Sequence, residues 1–297
     1  LDRPDPEDII VADEPDAPPV TKLVWEERGV FGAGFLVVDE ASMVSTDIYY
    51  ALLRTGHRIL FVGDHGQLQP VGVDSGIMCN PEIRLETILR QAADSPILRF
   101  AHEMRMRAPL APVRHDGLDV RPPLRGFDPE MLASFDQVIC ATNRTRHQVN
   151  KVMRRFYKRS GSLAFGDKIV CLRNDHRRGL SNGEIFVVCS RPRFSDETVT
   201  VDIEDETGDT FPRVSMLLEQ FGANKVLRDS DEGLFDFAYA ITCHKAQGSE
   251  WDSVMVIEED IRFDGWDPAR WRYTAATRAA KRLMFASPFV PAQRRAA

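Results

Sequence analysis

The chain has 297 residues and is 43% hydrophobic, enough to bury one large core or two of moderate size, and its length favours about two domains. No apolar run approaches the roughly 20 residues that cross a bilayer, and the acidic, proline-rich start is unlike a targeting segment. A formal charge of −7 argues against a protein that coats nucleic acid over its whole surface. Cys79, Cys140, Cys171, Cys189 and Cys243 lie singly, with no C-x-x-C pair. They suggest neither a zinc site nor a disulfide framework and fit a reducing cytoplasm.

Up to Pro19 the chain holds five prolines and seven carboxylates, so residues 1–34 are expected to be an extended or disordered lead-in. Phe35-Leu36-Val37-Val38 and Ile59-Leu60-Phe61-Val62 are short, continuous apolar runs with a helical stretch between them. Such runs predict strands covered on both faces, hence a parallel α/β sheet. The Pro-rich stretch from Pro109 to Pro123 reads as a loop. Gln137-Val138-Ile139-Cys140-Ala141 opens a second region as a buried strand, followed by a helix from about Arg144 to Arg159. The runs 253–257 and 282–286 close that region as strands. Between them, from about Gly166 to Phe221, alternating segments such as Thr198-Val199-Thr200-Val201 and an Asn182-Gly183 turn predict a small antiparallel barrel inserted in the second α/β domain. There is no internal repeat.

The first constellation of polar residues closes the first two strands. Asp39 and Glu40 stand at the carboxyl end of a strand, where open α/β sheets bind ligands. A nucleotide's Mg²⁺ needs a hard carboxylate, which Asp39 would supply, and hydrolysis needs a group that orients water, which Glu40 would supply. Solvated acids also end many ordinary strands. After the second strand comes Gly63-Asp64-His65-Gly66-Gln67-Leu68-Gln69-Pro70-Val71, whose Gln67 amide suits a sensor of the γ-phosphate. Gly63 and Asp64 would either line the nucleotide or serve only the geometry of a turn.

The second constellation lies far along the chain. Thr242-Cys243-His244-Lys245-Ala246-Gln247-Gly248-Ser249-Glu250-Trp251 gathers a hydroxyl, an imidazole, an ammonium, an amide and a carboxylate around one glycine. Such a set can grip phosphates on one side, with Gln247 and Gly248, and a ribose on the other. The alternative is a capped helix end followed by a turn. Asn143, Arg144 and Arg146, with Lys151, Arg154, Arg155, Lys158 and Arg159, concentrate positive charge in an acidic chain. They form either a phosphate track or a solvated helix face. Trp251, Trp266 and Trp271 either stack on bases or are buried.

In this order the motifs resemble a known family. D-E-A-S followed by G-D-x-x-Q-L-x-P-V looks like motifs II and III of superfamily 1 DNA helicases, in the form used by RecD-like and phage Dda-like enzymes. The resemblance makes 85–91 motif IV, with Arg90 reaching the γ-phosphate from the second domain. It makes 240–251 motif V, with Thr242, His244 and Lys245 on the nucleic-acid backbone and Glu250 on the ribose. Tyr273-Thr274-Ala275-Ala276-Thr277-Arg278-Ala279 resembles motif VI, with Arg278 as an arginine finger, a task suited to a planar, permanently charged group. The implied fold is two RecA-like P-loop NTPase lobes with an SH3-like barrel in the second. The first lobe, truncated, would span about 35–83 and the second 84–297.

What such a motor also requires is a phosphate-binding loop, G-x-x-x-x-G-K-[ST], and none of the nineteen glycines precedes a lysine. The sequence therefore reads as the C-terminal part of an ATP- and Mg²⁺-dependent 5′ to 3′ helicase that translocates on single-stranded DNA in replication, repair or recombination. It is expected to be inactive alone, its other half belonging to a longer chain or supplied by a partner. Two alternatives are a non-catalytic nucleic-acid-binding module and a helicase subunit of a recombination or exonuclease complex. No acidic metal cluster suggests cleavage by this chain itself.

Overall fold

A computed structural model describes residues 34–70, 73–85, 95–175, 177–223, 226–227, 232–262 and 265–292. In chain order the strands are β1 (Phe35–Val38), β2 (Arg58–Phe61), β3 (Val113–His115), β4 (Leu118–Arg121), β5 (Gln137–Cys140), β6 (Lys168–Cys171) and β7 (Ile185–Val188). They continue as β8 (Arg193–Phe194), β9 (Thr198–Asp205), β10 (Thr210–Leu217), β11 (Phe235–Phe237), β12 (Ala240–Thr242), β13 (Trp251–Ile257) and β14 (Ala279–Ala286). The described helices are α1 (Thr46–Arg54), α2 (Pro96–Arg105), α3 (Pro129–Ala133), α4 (Asn143–Phe156) and α5 (Pro268–Ala276).

Each helix starts where its sequence supplies a cap. Ser45, Ser95, Asp128, Thr142 and Asp267 accept a backbone N–H of the first turn, and α2, α3 and α5 carry proline at the start, where no N–H is needed.

The strands form three sheets. β1 and β2 pair in parallel, Val38 opposite Phe61. The large sheet runs β12-β5-β13-β14-β4-β3. It is parallel except for β3, which folds back on β4 as an antiparallel hairpin at the edge. The third sheet, β10-β9-β7-β6-β11 with β8 on β9, is antiparallel throughout and lies in the chain between α4 and β12. The whole is a mixed α/β fold with a parallel sheet of the kind found in RecA-like helicase domains.

Period-2 alternation joins the third sheet to the large one. Ile169, Cys171, Phe186 and Phe235 enter a core of the antiparallel sheet's own, while Val170, Leu172, Ile185 and Leu234 enter the main core beside Ile139, Val254 and Phe285. A third cluster, with Val138, Val149, Met153 and Met255, packs α4 onto the other face of the large sheet. The antiparallel strands run on to Phe237, beyond the Phe221 expected, because β11 is only three residues long and too short to show a pattern.

Two expectations are corrected. The stretch from Pro109 to Pro123, expected as a loop, carries the β3–β4 hairpin, and alternate residues Leu118 and Val120 of β4 are buried in the main core. β1 and β2 are parallel, but they are not covered on both faces: Val37 is 61% exposed, and Phe35 and Leu60 stand out on alternate positions. A continuous apolar run predicts that a strand wants cover on both faces. It does not say which element provides it.

Candidate functional site: loops at the edges of two parallel sheets

Four loops leave the carboxyl ends of β1, β2, β5 and β12, and a chain of contacts brings them together with α5. The loop after β1 is pinned by Ala41 N donating to Val62 O (2.8 Å), just as Val62 N donates to Val38 O (2.9 Å). Glu40 is held in the left-handed region, φ 49°, a conformation that costs a non-glycine residue about 1–3 kcal/mol and persists where its surroundings impose it. Asp39 is exposed, and its Oδ1 accepts the Glu40 N–H at 2.8 Å. Gly63 sits against this turn. A Cβ there would lie 2.9 Å from Ala41 N and 3.0 Å from Ser42 N, so the glycine is required by close backbone approach.

The loop after β2 turns on Asp64, whose Oδ1 accepts Gly66 N (2.7 Å) and whose Oδ2 accepts the Tyr273 hydroxyl of α5. Burial and the Asp64 carboxylate push the Tyr273 hydroxyl up to about 12, so it stays protonated as the donor. Arg105 at the end of α2 reaches the same loop, donating to His65 Nε2 (2.7 Å) while its guanidinium lies 5.8 Å from the Tyr273 ring centre. Burial and that arginine lower the imidazole's pKa, which suits an accepting ring. Leu68 N then donates to Thr274 Oγ1 of α5 at 2.9 Å. Gln67 is thereby placed against α5, buried at 9% exposure.

Arg278 follows α5. Its Nε donates to Thr274 O, one terminal nitrogen to Ser249 O, and the other to Thr277 Oγ1, each at 3.1 Å. The same guanidinium thus ties the Gln247–Ser249 turn to the helix that carries Tyr273 and Thr274. It is folded back and 8% exposed. Gly248 makes the turn at φ 78°, and Glu250 beside it is exposed.

These loops also hold five of the ten buried polar atoms for which the described residues provide no partner. Glu40 Oε2, Ser42 Oγ, Gln67 Oε1 and both amide atoms of Gln247 are buried without a hydrogen bond. Native structures leave few such atoms, and each one calls for an explanation. A ligand rich in oxygen, carrying water with it, supplies partners for carboxylate, hydroxyl and amide together. Ser42 Oγ and Gln247 Nε2 can donate to a nucleotide's phosphate oxygens, while Glu40 Oε2 and the amide oxygens of Gln67 and Gln247 can accept from water held with them.

The candidate strand contacts divide. Arg144 is exposed and Asn143 Oδ1 accepts from Arg146 Nε (2.7 Å), but Arg146 is turned inward. It is 8% exposed, and its guanidinium pairs with Asp236 Oδ2 at 2.7 Å. This corrects its reading as a track residue, because a buried carboxylate neutralises it. Arg154 is similarly engaged with the fully buried Asp167 and lies over the Phe237 ring at 4.2 Å. Thr242 is buried, so of the three motif V residues expected on the strand only His244 and Lys245 reach the surface, each half-buried. Lys245 Nζ donates to Asn182 Oδ1 (3.1 Å), which joins this loop to the Asn182-Gly183 turn of the antiparallel sheet.

Trp251 and Trp271 are core residues, and Trp266 packs on Trp271 with ring centres 6.1 Å apart. Trp251 Nε1 donates to Glu206 Oε1 (3.1 Å), a second link to that sheet. Arg90 lies outside the described residues.

Glu259 escaped sequence reasoning. Its Oε2 accepts Ala141 N (3.0 Å) and Thr142 N (2.9 Å), and its Oε1 accepts the hydroxyls of Thr142 (2.5 Å) and Thr145 (2.6 Å). It therefore fixes the loop from β5 into α4. Glu258-Glu259-Asp260 at the end of β13 is an acidic strand end like Asp39-Glu40, and that signal could have found it.

Geometry of this kind, acidic and amide side chains on the loops of parallel strands with an arginine just past a neighbouring helix, belongs to a mixed α/β protein with a RecA-like parallel sheet. Residues 237–286 match the UvrD-like helicase C-terminal domain and residues 15–113 an AAA domain. The chain is 28% identical over 284 residues to the ATP-dependent RecD2 DNA helicase of Deinococcus radiodurans, covering 84% of this chain and 36% of that protein. It is 30% identical over 276 residues to the conjugal transfer protein TraA of Agrobacterium fabrum, covering 78% and 24%. The chain thus spans about a third or less of the length of these relatives. Among solved structures it resembles the Pif1 helicase from Bacteroides in complex with ADP-AlF3 and single-stranded DNA, with a TM-score of 0.55, 16% identity and coverage of 90% of this chain and 75% of that one. The chain thus resembles superfamily 1 helicases of the RecD-like kind in sequence and Pif1 helicases in fold.

Proposed function

We propose that this chain is the C-terminal part of an ATP-driven motor that moves 5′ to 3′ along single-stranded DNA. The observation that carries the proposal is the junction at Leu68 and Thr274. It joins the loop of Gln67 to the helix leading to Arg278, on loops where Glu40 Oε2, Gln67 Oε1 and the Gln247 amide are buried without a partner among the described residues. In this reading β1 and β2, within 35–83, belong to a first RecA-like lobe and 84–297 to a second. The antiparallel sheet is an SH3-like barrel that touches the strand through the Lys245–Asn182 link.

Nucleotide would lie between Asp39, Glu40, Gly63, Asp64 and Gln67 on one wall and Arg90, Gln247, Gly248, Glu250 and Arg278 on the other. Magnesium bound with the phosphates would neutralise their charge, with Asp39 as its protein ligand. Glu40 orients water, and Gln67 reports the γ-phosphate. Arg278 exchanges its bonds to Ser249 O and Thr277 Oγ1 for phosphoryl oxygens, which couples the cleft to the loop bearing His244 and Lys245. Closing and reopening the cleft would move Asn143, Arg144, His244 and Lys245 along the strand.

A second reading, a nucleic-acid-binding module without turnover, is favoured by the missing G-x-x-x-x-G-K-[ST] loop and by the folded-back Arg278. Both readings require strand binding, and on both the purified chain hydrolyses ATP negligibly with or without DNA. Fluorescence anisotropy with a labelled single-stranded oligonucleotide tests the shared claim. Lys245→Ala should weaken binding and lower the log–log salt slope by about 0.7, one phosphate contact. No binding by the wild-type chain, or an unchanged slope, would overturn it.

A further inference from the structure

The basic helix α4 uses its charge in two ways. Arg146 and Arg154 are neutralised within the fold by Asp236 and Asp167. Arg144, Lys151, Arg155 and, just past the helix, Lys158 are exposed, and none of them makes an ion pair among the described residues, although the chain as a whole carries −7. At about 3.6 residues per turn, positions 144, 148, 151 and 155 fall on one narrow stripe, opposite the buried Val149 and Met153, and Lys158 follows two residues past the helix end in the left-handed region, φ 55°. Gln148 fills the gap between the first two cations and is also exposed. The helical part of the row, from 144 to 155, is about 17 Å long.

Its place in the fold gives the row a direction. α4 begins where β5 ends, beside the loop after β12, since Cys243 N donates to Cys140 O at 3.1 Å. The start of α4 therefore lies on the same sheet edge as the loop that carries His244 and Lys245. The rest of the row leads away from that candidate strand site along the outside of the large sheet.

We propose that the outer face of α4 is a second nucleic-acid surface, one that holds the phosphate backbone of a duplex adjoining the strand site; the proposal rests on the reading of that site given above. A duplex fits better than a continuing single strand because the stripe presents only Arg, Lys and Gln. Surfaces that follow single strands interleave cations with rings on which the bases stack. The nearby rings, Phe156 and Tyr157, are 38% and 42% exposed but lie off the stripe, 5.2 Å from each other, with Tyr157 stacked on Tyr239 at 5.7 Å. A duplex turns its bases inward and offers phosphates alone to such a row.

The test compares the whole chain with the triple variant K151Q/R155Q/K158Q, which leaves Arg144 in place. The three positions are exposed, and an unchanged circular dichroism melt confirms that the variant folds. Affinity is measured by anisotropy against salt for a single-stranded oligonucleotide and for the same strand joined to a duplex. The wild type should bind the tailed duplex more tightly than the tail. The variant should lose that preference, with its salt slope on the tailed duplex lower by about 2.7, three contacts at about 0.9 each, and its slope on the tail unchanged. A wild type without duplex preference, a variant that behaves as the wild type, or an equal loss on tail and tailed duplex would each overturn the proposal. Binding of neither substrate by the wild type would overturn the strand-site reading and this proposal with it.

Discussion

Replacing Arg146 with methionine keeps an unbranched apolar stem and removes the guanidinium with its charge, and the structure says what this leaves behind. Asp236 is 1% exposed, and its Oδ2 loses the guanidinium 2.7 Å away. Its Oδ1 keeps two backbone donors, Gly222 N (2.9 Å) and Phe237 N (2.7 Å). Stranding one member of a buried ion pair costs about 3–5 kcal/mol, and unit charges about 4 Å apart at an effective dielectric near 20 attract by about 4 kcal/mol. With a urea slope near 3 kcal/mol per molar, the unfolding midpoint of R146M should fall by about 1–2 M. Adding Asp236→Asn should recover part of the loss, because the unpaired charge is then gone. The same proteins are titrated with single-stranded DNA at several salt concentrations. R146M should keep the wild-type salt slope, whereas Arg144→Ala should keep the urea midpoint and lower the slope by about 0.7. An R146M protein as stable as wild type with a reduced salt slope would show that Arg146 serves the strand and that its burial against Asp236 is wrong.

Three further perturbations follow from the packing. Gly63→Ala drives a methyl group against the backbone nitrogens of Ala41 and Ser42; thermal unfolding should show a loss of about 1–3 kcal/mol, and no loss would mean that the two loops are not in contact. Glu259→Gln offers one acceptor oxygen where four donors converge. Amide exchange at Thr142 should accelerate and stability drop by about 1–3 kcal/mol, while unchanged exchange would remove Glu259 from its positioning role. Lys168, whose ammonium donates to Asp136 O and Gln137 Oε1, is lowered by burial from an ordinary 10.5 to about 8. The folded state sheds this proton first, so between about pH 8 and 10.5 the unfolded state binds more protons and stability rises with pH. Measured as the difference in urea midpoint from Lys168→Met, the wild type should gain between pH 7.5 and pH 10. A fall or a flat difference would contradict the burial of the charged group.

The parts of the fold carried by local patterns were legible. Apolar runs ending in Asp39-Glu40 and in Gly63-Asp64 lie on paired parallel strands, and the Asn182-Gly183 turn lies within an antiparallel sheet. What could not be read depends on partners distant in the chain. In α4 the arginines at 144 and 146 are equivalent by composition, and only Asp236, ninety residues away, turns one of them inward. Arg105 carries no motif, yet it meets His65 and Tyr273 because α2 packs beside α5. The bare face of β1 and β2 has the opposite cause. Their hydrophobicity is plain in the sequence, but cover belongs to tertiary structure.

The central claim is that the Gln67 wall and the Arg278 wall form one nucleotide cleft coupled to the strand loops. Linkage makes this measurable without turnover, since a nucleotide that shifts the cleft must shift strand affinity, and the reverse. The measurement is the affinity of the purified chain for a labelled single-stranded oligonucleotide, with and without millimolar Mg²⁺ and a non-hydrolysable ATP analogue, in wild type and in Arg278→Ala. The account predicts that the analogue changes strand affinity in the wild type and that Arg278→Ala abolishes the change. Strand affinity that is indifferent both to nucleotide and to Arg278→Ala would contradict it and leave a binding module in place of a motor.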